Sequence, residues 1–201
     1  MGPFEYPTGS HERRHGPSGY RQYESYRAWL RNEFSFRCVY CLQREQWCNL
    51  EGVFHIDHFL PQLTHPDAVV DYDNLVYSCA RCNEAKKALE IPNICEISLA
   101  DCLRIRPDGT LEAVDNDSIG ERLIKLLRLN SSSIVRYRQC ILETVNFLEE
   151  HNRQLFVEWM RYPDDLPDLS TKKPPSGNNR PSGIGESFSA KRERGELDAT
   201  Y

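Results

Sequence analysis

Apolar residues return along this chain with two different periods. From Tyr20 to about Phe36, Tyr23, Tyr26, Leu30 and Phe34 recur every three or four positions, the spacing of one face of a helix. The run Gly52-Val53-Phe54-His55-Ile56-Asp57-His58 is short and β-branched, and predicts a strand. Residues 59 to 73 hold two prolines and several aspartates and read as a loop; Asn74-Leu75-Val76-Tyr77 predicts a second short strand. Cys79 to Leu89 has helix-compatible composition, and Pro92 ends it. Further on, Cys102–Arg106 and Thr110–Val114 flank Pro107-Asp108-Gly109, a hairpin signal. Ser118-Ile119-Gly120-Glu121 resembles a capping box opening a helix through Leu129. Ile134, Tyr137, Ile141, Val145, Leu148, Leu155 and Trp159 then predict one long helix from about Ser133 to Tyr162.

The elements predict an α+β fold. Two short strands and a helix form a small core, flanked by an N-terminal helix, a second hairpin and two C-terminal helices. Residues 1–19, rich in Gly, Pro, Ser and charge, predict a flexible arm; 20–92 the core; 93–162 a hairpin with a helical extension. From Pro163 onward, prolines with Gly, Ser and Asn between them predict a disordered tail over 163–201, because so little apolar surface does not offset the entropy of ordering.

Composition narrows the class. The chain has 201 residues, 39% of them hydrophobic, which suits one ordinary domain with extensions. No run approaches the roughly 18 apolar residues a membrane helix needs, and the N-terminus shows no basic patch followed by an apolar stretch, so no membrane partner and a cytoplasmic location are expected. Lys and Arg number 25 against 30 Asp and Glu, a net charge of -5. As a total this argues against a nucleic-acid partner. Resolved along the chain it does not. Residues 13 to 37 hold six arginines against Glu24 and Glu33, and 121 to 138 hold Arg122, Lys125, Arg128, Arg136 and Arg138 against Glu121 alone. No side chain stands out as a base-reading contact, so weak sequence specificity is expected.

Among eight cysteines, four form two Cys-x-x-Cys knuckles, Cys38/Cys41 and Cys79/Cys82. A chain without an export signal does not suggest a disulfide framework. The pairs instead fit a tetrahedral structural zinc site of four thiolates. A redox pair is the alternative for either knuckle alone, and His55 or His58 replacing one thiolate is another. Cys48, Cys95, Cys102 and Cys140 read as small buried hydrophobes.

Between the knuckles stands His55-Ile56-Asp57-His58-Phe59-Leu60-Pro61, then Asn74-Leu75, then Cys79-Ala80-Arg81-Cys82-Asn83-Glu84-Ala85-Lys86. Hydrolysing a phosphodiester needs an activated water, charge neutralisation at the phosphate and help for the leaving oxygen. His58 suits a general base, since a neutral imidazole accepts a proton near pH 7. Asp57 and Asn83 offer hard oxygens to Mg²⁺ or Mn²⁺, with His55 a further candidate ligand on the same strand face as Asp57. Arg81 and Lys86 are candidate phosphate contacts. Alternating strand faces would separate Asp57 from His58 unless the strand end is distorted.

Over roughly residues 36 to 90 these elements, in this order, resemble the HNH endonuclease family, a ββα-metal nuclease here with a four-cysteine zinc site. The resemblance implies His58 as base, Asp57 and Asn83 as ligands of the catalytic ion, and Asn74 as a brace for the loop that orients the base. The third family position is Asn83 rather than His, so the chain reads as an HNN variant. The expected activity is endonucleolytic cleavage of nucleic acid, with DNA the expected substrate. The alternatives are a zinc-stabilised nucleic-acid-binding module, or a nuclease subunit silent without a partner protein such as an anti-phage ATPase. The 133–162 helix is the expected face for such a partner or for a second copy. Asn74 as a mere turn residue, and Lys86-Lys87 as a solvated helix face, remain open at this level.

Overall fold

The computed structural model describes residues 2–48, 53–172 and 181–201. Strand β1 (Phe54–His58) pairs antiparallel with β2 (Leu75–Cys79), in a register that sets Phe54 opposite Cys79 and His58 opposite Leu75. Gly52, predicted to start β1, lies outside the described residues. Helix α2 (Ala80–Lys86) follows β2 without a loop. The core is therefore the strand-strand-helix unit that the apolar pattern predicts, and the α+β class holds. In front of it a 3-10 turn (Tyr23–Tyr26) leads into α1 (Arg27–Glu33), which packs on β2. Tyr26, Trp29, Leu30, Leu75 and Val76 are completely buried at this seam.

The first knuckle is a tight turn closed by the Arg37–Arg44 bridge, with Cys38 N–H donating to Gln43 O and Leu42 N–H to Cys38 O. Val39 N–H donates to Tyr77 O at 3.0 Å and docks this turn onto β2. That bond and the burial of Val39, Tyr40 and Leu42 set Cys38 and Cys41 beside the strand that ends at Cys79.

The second hairpin pairs β3 (Leu103–Ile105) with β4 (Leu111–Ala113). Gly109 turns it at a φ of +81°, and a Cβ there would lie 2.7 Å from Val135 O, so both backbone and neighbour demand glycine. A short helix, α3 (Leu99–Cys102), precedes the hairpin, and α4 (Ser118–Leu126) follows it. The predicted capping box gives way to a simpler cap: Asp117 accepts from Gly120 N–H, and Ser118 is already helical. The predicted 133–162 helix is two helices, α5 (Ser132–His151) and α6 (Arg153–Met160). Asn152 breaks it: its backbone leaves the helical region (φ -151°, ψ 80°), and its side chain accepts from Leu155 N–H and caps α6. No helix among the described residues is long and apolar enough to cross a membrane.

Both ends depart from the sequence expectation. In the arm, Phe4, Tyr6 and His15 are buried, and the carboxylate of Glu33 on α1 accepts from the backbone N–H groups of Arg14 and His15. Where the composition predicts disorder from Pro163, the described residues pack back onto the core. Leu169 is fully buried, α7 (Phe188–Glu193) sets Phe188 against Phe36 and Tyr162, and Tyr201 stacks on Tyr162 beneath Arg44. A few aromatic anchors suffice, and an average over a proline-rich segment conceals them. Residues 173–180 lie outside the described set.

Candidate active site

Cys38, Cys41, Cys79 and Cys82 are all buried, and their sulfurs lie within 4.8 Å of one another, with Cys41 and Cys79 at 3.7 Å. Four thiolates about 2.3 Å from one zinc ion would stand about 3.8 Å apart at the corners of a tetrahedron. The donor set and its spacing fit such an ion. The acid-base state fits too. Hydrogen bonds from Cys38, Cys41 and Cys82 pull the Cys79 thiol far below its usual range, while burial pushes Cys38 up and the other thiols push Cys82 up. A bound dication would favour the thiolate form of the ligating cysteines. Among the described residues this is the one His, Cys, Asp or Glu cluster with metal-holding geometry. Cys102 is buried as expected, Cys48 and Cys95 are half-buried, and Cys140 is exposed.

His55, Asp57, His58 and Asn83 line one cleft, together with Tyr23, Arg27, Gln62 and Lys87. His58 occupies the last position of β1, where the ladder ends. Its Nε2 lies 3.0 Å from Val69 O, and its Nδ1 3.1 Å from Gln62 Nε2. A carbonyl only accepts and an amide nitrogen only donates, so these partners place the proton on Nε2 and the lone pair on Nδ1. Burial lowers the imidazole below its ordinary pKa, against a smaller upward pull from Val69 and Asp57. Tyr23 meets the ring edge-on at 4.9 Å.

Asp57 turns back on its own backbone. Its Oδ1 accepts from His58 N–H at 2.8 Å and from Lys86 Nζ at 3.2 Å, and its Oδ2 from Tyr40 Oη at 2.6 Å. Asp57 and His58 both line the cleft although β1 keeps its regular pairing through His58. Burial pushes the Asp57 carboxyl up, and Lys86 and Tyr40 oppose the rise. On α2, the Asn83 amide lies 3.4 Å from His55 Nδ1, so these two candidate ligands are neighbours.

Asn74 is buried and bonds three ways: Oδ1 accepts from Leu60 N–H, and Nδ2 donates to Leu60 O and Ala68 O. Ala68 immediately precedes the Val69 carbonyl that meets His58, so the amide holds the loop carrying that carbonyl.

The two candidate phosphate contacts lie elsewhere. Lys86 is fully buried, and its ammonium is turned inward to Asp57 and the His58 carbonyl, out of reach of a ligand in the cleft. Arg81 does not line the cleft and lies within electrostatic reach of Tyr137 and Arg138. The cleft takes its cations from Arg27, which donates to Phe54 O, and from Lys87. Arg27 shares the i, i+3, i+4 face of Tyr23, a signal the sequence carried without saying which side the face would turn. Tyr40 and Gln62 had no comparable signal.

Set beside known proteins, residues 38–89 match the family model described as HNH endonuclease. A Septu protein PtuB of Bacillus thuringiensis is 42% identical over 53 residues, covering 25% of this chain and 19% of that protein. A Septu protein PtuB of Bacillus mycoides (strain KBAB4) is 24% identical over 157 residues, covering 61% of this chain and 52% of that protein. The chain thus spans about half, or less, of the length of these curated relatives.

Proposed function

With the HNH endonuclease match over residues 38–89 as premise, we propose that this chain is a metal-dependent endonuclease that hydrolyses phosphodiester bonds in DNA. The observation that carries the reading is the state of His58: its pKa lowered by burial, its Nε2 proton directed at the Val69 carbonyl, and its Nδ1 an acceptor met by the Gln62 amide in the cleft. That is the form a general base needs. Nδ1 takes the proton of the attacking water, while Val69 keeps the ring oriented. Gln62 holds the place of that water and gives way to it. Asn74 fixes the loop behind both.

Asp57, Asn83 and, as a third ligand, His55 would hold one Mg²⁺ or Mn²⁺, while zinc would occupy the four cysteines as scaffold. A carboxylate has about four acceptor positions. Tyr40, Lys86 and the His58 N–H use three of those on Asp57, which leaves one for an ion. The bound ion would supply charge stabilisation at the phosphate and the leaving oxygen. Arg27 and Lys87 would steady the phosphate backbone.

The test is cleavage of supercoiled plasmid and of RNA by the purified chain, with Mg²⁺, Mn²⁺ or EDTA. Divalent ions should support nicking, EDTA should stop it, and His58→Ala should abolish it with zinc retained. If His58→Ala cut as fast as the parent, the assignment of the base would fall. A second reading, a nuclease subunit that acts within an assembly, is favoured by one observation: Phe147, Leu155 and Trp159 stand exposed on α5 and α6. Such an assembly would pair the nuclease with a partner protein, for example an ATPase of an anti-phage system. Full activity of the isolated chain on bare DNA would count against it.

A further inference from the structure

The first knuckle carries, between its two cysteines, a side chain that reaches the candidate active site. Tyr40 is 2% exposed, and its hydroxyl donates to Asp57 Oδ2 at 2.6 Å. Its own carbonyl accepts from the hydroxyl of Tyr6 at 2.7 Å, a buried residue of the N-terminal arm. Two hydrogen bonds thus run from the arm, through the knuckle, to the carboxylate. The other oxygen, Oδ1, is held by the His58 N–H and by Lys86, from β1 and α2. Asp57 is 4% exposed, so water does not replace a lost donor easily. Without Tyr40, Oδ2 has no protein donor among the described residues, and the carboxylate is held through Oδ1 alone.

We propose that Tyr40 is a positioning residue, mounted on the knuckle and backed by Tyr6, that fixes Asp57 Oδ2 and so ties the scaffold metal site to the divalent-ion site. The proposal rests on reading Asp57 as an ion ligand. Tyr40 gives no ligand atom to the cysteine cluster, and Tyr40→Phe keeps the buried ring, so the donor is removed with little change of core volume. Partners behind a metal ligand typically change metal affinity by roughly 10- to 100-fold when they are lost.

The experiment follows Mn²⁺ binding by electron paramagnetic resonance on the purified, zinc-loaded chain, alongside zinc content and cleavage. Tyr40→Phe should weaken Mn²⁺ binding by roughly tenfold or more with zinc content unchanged. The half-saturating Mn²⁺ concentration for cleavage should rise by the same factor, while the rate at saturating ion recovers. Tyr6→Phe should shift both in the same direction by less. Parent-like Mn²⁺ affinity in Tyr40→Phe would overturn the proposal. Zinc loss from Tyr40→Phe would overturn it as well, by making the residue part of the cysteine scaffold. If the parent itself bound no Mn²⁺, the reading of Asp57 and Asn83 would fail first, and the two failures would be told apart.

Discussion

At the scale of single residues, the site is defined by how polar groups are used up. His58 has one nitrogen committed to Val69 and the other turned to the cleft, and Lys86 has its ammonium committed inward. The His58 commitment sets a pH dependence. Catalysis by a base requires the neutral imidazole, and burial lowers the pKa from its ordinary value of 6.5. Cleavage should therefore rise with pH through a midpoint below 6.5 and level off above it. A kcat/KM profile at saturating ion would show this limb, and a midpoint above 6.5 would contradict the burial argument. The sequence carried His58, Asp57 and Asn83 plainly, because their chemistry is tied to a short motif. It could not show that Lys86 faces inward: a lysine three residues after Asn83 reads the same whether its amine meets a phosphate or a buried carboxylate.

At the scale of elements, the hairpin and α2 share one hydrophobic core with α1 and the first knuckle. The cysteine cluster clips the first knuckle to the junction of β2 and α2, the same junction that sets Asn83 against His55. Zinc and the catalytic ion should therefore part company under chelation. Brief EDTA treatment should remove the exchangeable ion, and Mg²⁺ alone should restore cleavage. Exhaustive chelation should strip the cysteines, collapse cooperative thermal unfolding, and leave a chain that Mg²⁺ does not rescue without added zinc. Circular dichroism beside the cleavage assay would follow both stages. These elements were legible because alternation, knuckle spacing and turn residues act locally. The break at Asn152 was not: its neighbours keep the apolar stripe across the gap, and only the cap geometry reveals it.

At the scale of the whole molecule, a count of charges says little until each cation has been assigned a partner. The six arginines between residues 13 and 37 suggested a surface for phosphates. Arg13 instead donates to Asp73 O and Leu75 O, Arg14 to the Asn32 and Glu33 carbonyls, and Arg31 pairs with Glu45 and Asp165. These bonds anchor the arm and the Pro163 segment, the two regions whose composition predicted looseness. Long-range partners of this kind leave no periodic trace in a sequence, so order at both ends went unread while the central motif stood out. Arg27 and Lys87 remain at the cleft. The two groups of cations should then respond differently to substitution. Arg27→Ala and Lys87→Ala should each weaken binding of a labelled duplex and reduce the slope of log K against log salt by about 1. Arg31→Ala should leave that slope unchanged and lower the thermal midpoint, because it removes a half-buried anchor rather than a phosphate contact. Fluorescence anisotropy across a salt series, paired with thermal melts, separates the outcomes, and an unchanged slope in both Arg27→Ala and Lys87→Ala would remove the cleft as the place where the backbone lies.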